Sequence, residues 1–172
     1  LKIFGDRVDR DPLTQIYNRK YFYEALPRVR SLRTEKGTSI MMLDIDNFKS
    51  INDNWGHLVG DRVILAVVDI IKDSIRDNDI FARLGGEEFG LLLPDTDGKQ
   101  AIAVAERIRQ NVQQRTGPGY HYALPVRVTL SIGVCSAIQN NVNGNDIMRD
   151  VDEALYEAKH NGKNRIVTRQ AE

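Results

Sequence analysis

Two acidic residues end a stretch that is otherwise apolar. Asp44 and Asp46 close residues 39–46 (Ser-Ile-Met-Met-Leu-Asp-Ile-Asp), which we interpret as a buried strand. Carboxylates two positions apart on a strand point to one face, and burying both is costly unless a cation compensates for their charge. The alternative is that the strand simply ends there and the acids cap the following helix. The sequence leaves both interpretations open.

A second pair of acids follows two glycines. Residues 85–89 read Gly-Gly-Glu-Glu-Phe and separate two short apolar runs, a pattern typical of a β-hairpin. Glycine lets the backbone approach a ligand closely, and a nearby cation would offset the repulsion between Glu87 and Glu88. The alternative is a solvated turn in which these acids have no special role.

Together, the strand end and the hairpin tip point to a divalent metal. Acids from two neighbouring strands can converge on Mg²⁺, which prefers oxygen ligands and leaves room for substrate phosphates. Two such ions can clamp a displacement at phosphorus. The sequence contains neither G-x-x-x-x-G-K-[ST] nor G-x-G-x-x-G, so no other phosphate-binding motif competes with this interpretation.

Two other polar groups deserve a role or an explanation. Residues 76–79 (Arg-Asp-Asn-Asp) precede the hairpin, and a polar loop is the ordinary explanation of such a segment. Lys159 and Lys163 stand near the end of the last predicted helix. They could reach phosphates, or they could only complement the negative end of the helix dipole.

The spacing of apolar residues predicts the elements that position these side chains. The predicted helices are 18–36, with Asn18 as N-cap and a kink or restart at Pro27, then 47–54 as a helical turn, 58–75, 98–114 and 145–160. The predicted strands are 39–46, 80–84, 89–93, 126–136 and 165–168. A hairpin within this order predicts one α+β domain, with a central, mainly antiparallel sheet flanked by helices.

Composition excludes several classes of protein. The chain has 172 residues, with 24 Lys and Arg balanced by 24 Asp and Glu, so it lacks the basic surplus of a protein that grips polynucleotides. No apolar run approaches the roughly 20 residues of a transmembrane helix. Cys135, the single cysteine, excludes an internal disulfide framework and is expected in the core. With three histidines besides, a closed Cys/His zinc site is implausible.

At this point the sequence resembles the GGDEF domain of bacterial diguanylate cyclases. Its signature is residues 85–89, the GGEEF variant, and further blocks stand in the family's order over about residues 9–168. These blocks are Asp-Pro-Leu-Thr at 11–14 with Asn18 and Arg19, residues 44–49 with 51–53, Gly56-His57 and Gly60-Asp61, residues 129–134, Ala158-Lys159 and residues 162–165.

The resemblance implies a fold related to nucleotidyl cyclases and polymerase palm domains. It also implies a reaction in which two GTP become cyclic di-GMP and two pyrophosphates, each 3′-hydroxyl attacking the α-phosphate of the other GTP. Because one domain holds one GTP, two domains must meet face to face as a homodimer. The expected cofactor is Mg²⁺ or Mn²⁺, with two ions in each active site.

The resemblance assigns a role to each matching position. Metal ligands are expected at Asp44, the carbonyl of Ile45, Glu87 and Glu88. Glu87 matches the general base, and Lys49 stabilises the transition state. The expected substrate contacts are Asn52 and Asp61 for guanine, His57, Gly85 and Gly86, and, for the phosphates, Lys49, Lys159 and Lys163. Two departures are small: Glu87 replaces the commoner Asp, and Lys163 stands where Arg is frequent.

Arg76 and Asp79 acquire a different interpretation from the resemblance. They form R-x-x-D at the spacing of the family's inhibitory product site, and arginine can donate two hydrogen bonds to the O6/N7 edge of guanine. We therefore expect feedback inhibition by cyclic di-GMP. Two alternatives remain: a non-catalytic receptor for cyclic di-GMP or GTP, and a cyclase that uses another nucleotide.

We expect three segments along the chain. Residues 1–10 would end an upstream linker or signalling helix, 11–169 form the GGDEF domain, and 170–172 form a tail. The chain begins with Leu1 and shows no signal-peptide pattern, so we expect a piece of a longer protein. This piece is predicted to be cytoplasmic and to make no direct membrane contact, even if the parent protein is a membrane-anchored sensor.

Overall fold

A computed structural model describes residues 9–138 and 144–170. Its strands are β1 (Tyr17–Asn18), β2 (Thr38–Ile45), β3 (Ile80–Arg83), β4 (Glu88–Leu93), β5 (Leu130–Ile138) and β6 (Ile166–Gln170). Its helices are α1 (Arg19–Arg30), α2 (Phe48–Trp55), α3 (His57–Lys72), α4 (Gly98–Arg115) and α5 (Gly144–His160).

The six strands form one sheet in the order β1-β3-β4-β2-β5-β6. The three inner pairings are antiparallel, whereas β1 and β6 join the edges in parallel. This confirms the predicted class, a mainly antiparallel sheet flanked by helices.

Strand β2 is central, and all eight of its residues are buried. Because side chains alternate along a strand, β2 contributes to two separate cores. Met41, Leu43 and Ile45 pack with α3 and α4 on one face. Ile40 and Met42 pack with α1 and α5 on the other face, where Cys135 is also buried, as predicted.

Helix α5 lies directly on the backbone of β5. A Cβ placed on Gly133 would come within 2.5 Å of the Leu155 nitrogen and 2.6 Å of the Val151 carbonyl oxygen. Only glycine therefore permits this approach. The close contact fixes the height of α5 above the sheet, and with it the position of Lys159 in the last turn.

Helix α1 starts where predicted and ends earlier. The Asn18 side chain accepts a hydrogen bond from the Tyr21 amide at 2.9 Å, as an N-cap should. The helix continues through Pro27 without a restart but stops at Arg30 rather than near 36. Beyond it, Leu32 is 51% exposed and gives no apolar face to bury, and Thr34 closes a turn with Gly37.

Two strand predictions need correction. The strand predicted at 126–136 begins at Leu130, because Leu130 pairs with Ile45, the last residue of β2, and the earlier residues have no strand to pair with. Val128 instead donates its amide to the Thr116 hydroxyl at 2.9 Å. The two-residue strand β1 was not predicted at all.

The ends of the chain lie largely outside the described residues. The predicted upstream segment 1–10 falls there except for its last two residues, and β6 extends to Gln170, the first residue of the predicted tail. Within residues 9–138 and 144–170, none of the helices combines the length and apolar composition needed to cross a lipid bilayer.

Candidate functional site

The sheet brings Asp44, at the end of β2, together with the acids of the β3–β4 hairpin, at one end of its central strands. Asp44 is in register with Glu88 of β4 on one side and with Ser131 of β5 on the other. One residue further, the Ile45 amide donates to the Glu87 carbonyl at 3.1 Å. The predicted convergence of these two segments is therefore present in the backbone pairing itself.

Asp44 is a buried carboxylate in a crowded acidic environment. Burial raises the pKa of the Asp44 carboxyl, and the charges of Glu87 and Asp46 raise it further. Lys159 opposes this, because its Nζ donates to Asp44 Oδ2 at 2.7 Å. The net shift remains upward, so Lys159 only partly compensates for the burial of this charge.

Glu88 shares the same environment. Burial raises the pKa of its carboxyl, and the charges of Asp44 and Asp152 add to this effect. Lys159 and Arg19 oppose it without reversing it. Asp152, on α5, was not among the predicted site residues, because its distance from Glu88 in sequence gives no signal of their proximity.

Asp46 adds its charge to the surroundings of Asp44, and it also has a structural role. Its carboxylate accepts hydrogen bonds from the Thr129 hydroxyl at 2.7 Å, the Ser131 hydroxyl at 2.6 Å and the Asn164 amide at 3.0 Å. The alternative that it caps the next helix is wrong. The N-cap of α2 is Asn47, whose side chain makes no capping bond. Asp46 instead fastens β2, β5 and the loop after α5 to one another.

The hairpin tip is held by a residue that the sequence analysis did not single out. Arg83 donates to the Gly85 carbonyl at 3.1 Å and to the Gly86 carbonyl at 2.7 Å. It also pairs with Asp11 at 3.3 Å. Both glycines are exposed, and a Cβ on Gly86 would meet nothing within 4 Å. Internal packing therefore does not require glycine there, and the open space is available to a ligand.

A second group of predicted residues lies on α2 and α3. These two helices are separated only by Gly56, and Asn52 of α2 lies against Gly60 of α3. Asp61 follows Gly60 and is exposed, as are Lys49 and His57. The buried Oδ1 atom of Asn52 has no hydrogen-bond partner, and such an atom calls for a physical explanation.

The end of α5 connects the two groups. Lys163 lies in the turn after the helix, with a left-handed φ of 62°, and its Nζ donates to Asn47 Oδ1 at 2.7 Å. Lys159 reaches Asp44, as described above. Both lysines therefore contact residues at or just beyond the end of β2, rather than only complementing the end of their own helix.

Arg76 and Asp79 form a closed loop between α3 and β3. Arg76 donates to Asp79 from its backbone amide at 2.8 Å and from its guanidinium at 3.0 Å. The guanidinium also reaches the Pro94 carbonyl and the Thr96 hydroxyl, each at 2.7 Å. The predicted pair is thus brought together, with Asp79 buried and half of the Arg76 side chain exposed.

Basic residues border this pair on two sides. Arg10 and Lys72 line a pocket of about 360 Å³ beside it. Arg107, which the sequence analysis did not single out, lines the neighbouring pocket of about 290 Å³ and donates to the Ser74 carbonyl at 2.7 Å. Besides the pair itself, three basic side chains and one acid, Asp77, line these pockets, so the surroundings favour an anionic ligand.

Asp44, Glu87 and Glu88, at the end of β2 and the hairpin tip, form what we call the acidic edge. It offers oxygen ligands without forming a closed metal cage. Among the residues that the structure describes, no three His, Cys, Asp or Glu side chains gather closely enough to hold an ion alone. The donor set at Asp44, Glu87 and Glu88 is nonetheless made of hard oxygen atoms. Burial raises the pKa of Asp44 and of Glu88, and neighbouring acids add to it, as expected where negative charge is only partly compensated. These residues fit a divalent cation that takes only some of its ligands from this edge.

Comparison with known proteins gives a consistent result. The family described as "Diguanylate cyclase, GGDEF domain" matches residues 8–165. The chain is 51% identical over 170 residues to the probable diguanylate cyclase DgcT of Escherichia coli K12, covering 98% of this chain and 37% of that protein. It is 42% identical over 161 residues to diguanylate cyclase A of Treponema denticola, covering 91% of this chain and 43% of that protein. The chain thus spans less than half the length of either relative.

Solved structures agree with this result. The coiled coil and GGDEF domain of DgcB from Caulobacter crescentus, in complex with c-di-GMP, superposes with a TM-score of 0.88 at 30% identity, covering 98% of this chain and 89% of that one. The active GGEEF domain of a diguanylate cyclase from Vibrio cholerae superposes with a TM-score of 0.70 at 36% identity, covering 89% and 92%.

Proposed function

Because the chain belongs to the diguanylate cyclase GGDEF domain family, we propose that it condenses two GTP into cyclic di-GMP and two pyrophosphates. The observation that carries this proposal is the acidic edge, where Asp44 is buried in register with Glu88 and only partly neutralised by Lys159. A fold gains nothing from such under-compensated charge, whereas a site for phosphoryl transfer depends on charge placement.

In the proposed reaction, the 3′-oxygen of each GTP bonds to the α-phosphorus of the other. The bond from that phosphorus to the pyrophosphate oxygen breaks, and pyrophosphate leaves. Glu87 accepts the proton of the hydroxyl as general base. The position of Glu87 is supported by its backbone carbonyl, which accepts the Ile45 amide and fixes the residue at the edge.

Asp44, the Ile45 carbonyl, Glu87 and Glu88 would hold the metal. Two bound Mg²⁺ or Mn²⁺ ions would neutralise phosphate charge and align the displacement. Lys159 and Lys163 would bind phosphates, and Lys49 would stabilise the charge of the transition state. Exposed Gly85 and Gly86 would let the phosphates approach the backbone of the hairpin.

The guanine base would lie against α2 and α3. The exposed Asp61 carboxylate suits guanine, whose N1 and N2 groups are donors, and selects against adenine, which lacks that pair of donors. Asn52 would be the second guanine contact, and His57, exposed at the start of α3, would contact the substrate from the same side. Because one domain holds one GTP, catalysis would require a homodimer.

We also propose that the product inhibits the enzyme at Arg76 and Asp79. The basic residues bordering that pair support an anionic ligand there. The crystallised DgcB domain, which has c-di-GMP bound, supports cyclic di-GMP as a ligand of the fold. In this proposal the guanidinium of Arg76 pairs with the guanine edge.

The test is to incubate the chain at high concentration with GTP and Mg²⁺, and to separate the products by mass over time. Cyclic di-GMP that forms, and forms more slowly as it accumulates, is the expected result. Parallel reactions with ATP and without metal are the controls. If cyclic di-GMP binds but is not formed at any protein concentration, the receptor alternative replaces this proposal.

A further inference from the structure

The side-chain amide of Asn52 has its oxygen, Oδ1, directed into the protein. Oδ1 is fully buried without a hydrogen-bond partner, although the residue as a whole is only half-buried. A buried acceptor without a partner is costly to maintain. The fold therefore holds the amide in an orientation that its own hydrogen bonding does not explain.

Gly60 provides the space that this oxygen occupies. A Cβ placed on Gly60 would lie 1.9 Å from Asn52 Oδ1, 3.0 Å from its Cγ and 3.3 Å from Phe48 Cζ. Gly60 is buried within α3 and does not have a left-handed backbone. Helix geometry would accept alanine there and would favour it, so the space is the physical reason for glycine.

We propose that Gly60 is a positioning residue for base selection. By admitting Oδ1 into the gap above its Cα atom, it turns the Asn52 Nδ2 donor toward the site, near the Asp61 acceptor that follows Gly60 in the chain. With Nδ2 facing O6 and the carboxylate facing N1–H and N2–H, the pair matches guanine; in the same pose adenine would place its N6 donor against Nδ2 and its N1 acceptor against the carboxylate. This inference rests on the proposed function, because it concerns how the proposed guanine contact is oriented.

The contact itself is tested by thermal stability in a double-mutant cycle. In the unaltered background, Gly60→Ala is expected to lower Tm, because the new methyl group displaces Asn52. In the Asn52→Ala background, where only the tight approach to Phe48 remains, the same change is expected to be neutral or to raise Tm by up to roughly 2–4 °C through the helix preference for alanine. An equal effect of Gly60→Ala in both backgrounds would overturn the inference.

Base selection is tested by binding of GTP and ATP analogues whose α–β bridge is carbon, which prevents turnover. Gly60→Ala is expected to weaken binding of the GTP analogue about tenfold or more and to reduce the preference over the ATP analogue. It should have no further effect once Asn52 is alanine. Binding and preference like those of the unaltered chain would contradict the role of Gly60.

The two measurements separate this inference from the function it rests on. If the unaltered chain does not bind the GTP analogue, the proposed function fails, and the role in base selection fails with it. The melting temperatures would still decide whether Gly60 seats the Asn52 amide.

Discussion

Asp44 and Asp79 are two buried carboxylates, each paired with a partly exposed base, and they differ in how completely they are satisfied. Asp79 accepts both the backbone amide and the guanidinium of Arg76, which is itself anchored to Thr96. Asp44 accepts from Lys159 at 2.7 Å but lies among other acids. The Asp79 side chain is 3% exposed and the Asp44 side chain is 7% exposed, so burial alone does not distinguish them.

The difference is that the charge of Asp79 is fully compensated by its partners, whereas the charge of Asp44 is only partly compensated. At Asp79 each partner is itself held by another, and these bonds fix the position of the Arg76 guanidinium. At Asp44, compensation stops short, and the remaining negative charge is available to a cation or to a substrate that brings one. Perturbed carboxyls with an incomplete set of partners are typical of functional sites.

Glu87→Gln should have the largest effect, because it removes the proposed general base. The change is confined to the acidic edge. We expect cyclic di-GMP formation to fall by about 10²–10⁴-fold, measured by chromatography of the products. Titration calorimetry should show that cyclic di-GMP still binds, because the Arg76 loop is untouched. Formation of product at the unaltered rate would remove Glu87 from that role.

Arg76→Ala alters the Arg76–Asp79 loop and leaves the acidic edge untouched. We expect the concentration of cyclic di-GMP that halves the rate to rise by roughly 10–100-fold, since the proposed contact between the Arg76 guanidinium and guanine is lost. Inhibition is measured relative to the variant's own uninhibited rate. An unchanged inhibitory concentration would exclude this loop as the product site.

The same substitution at the two carboxylates should affect stability differently. Asp79→Asn loses charge-assisted bonds to Arg76 and should destabilise the fold by about 1–3 kcal/mol. Asp44→Asn relieves an under-compensated buried charge while weakening the Lys159 pair, so it should leave the fold as stable as before or more stable, at the expense of activity. Urea unfolding at neutral pH measures both. Destabilisation of similar size at both sites would contradict the distinction drawn between them.

A smaller effect should appear in the pH dependence of Glu88→Gln. Because burial raises the pKa of Glu88 above its ordinary value of 4.5, the folded state binds this proton more tightly than the unfolded state does. Stability therefore falls as pH rises from about 4.5 through the folded pKa. Glu88→Gln removes that loss, so its stability relative to the unaltered chain should increase with pH over this interval.

Urea unfolding of both proteins at several pH values checks this expectation. Glu24→Gln, which makes the same change at an exposed carboxyl of an ion pair on α1, is the matched control. A stability difference for Glu88→Gln that is independent of pH would show that the carboxyl is not perturbed.

Apolar periodicity predicted most of the fold, because α3, α4 and β2 each bury a regular pattern of side chains. It could not predict β1, because a strand of only two residues is too short to show an alternation of apolar and polar side chains. Nor could it show where β5 begins, because that depends on where its partner β2 ends. The central sheet and its helices were therefore predictable, and the limits set by pairing were not.

The candidate site was predictable as a set of residue types and less so as a geometry. The spacing of Asp44 and Asp46 could not show that Asp46, and not Asp44, fastens three segments together. Arg83 supports the hairpin through Asp11, a contact between residues 72 positions apart. No local pattern encodes such a contact.

The bonds made by Asp46 also bear on the dynamics of this edge. Its carboxylate holds the Asn164 amide at 3.0 Å, and its own amide donates to the Thr129 carbonyl at 3.0 Å. Amides held in this way exchange with deuterium only when the local structure opens, whereas the exposed amide of Gly86 should exchange quickly. Ligand binding at this edge would then slow exchange at the hairpin tip far more than beneath it. Exchange at Gly86 thus becomes a reporter of occupancy that needs no chemical turnover.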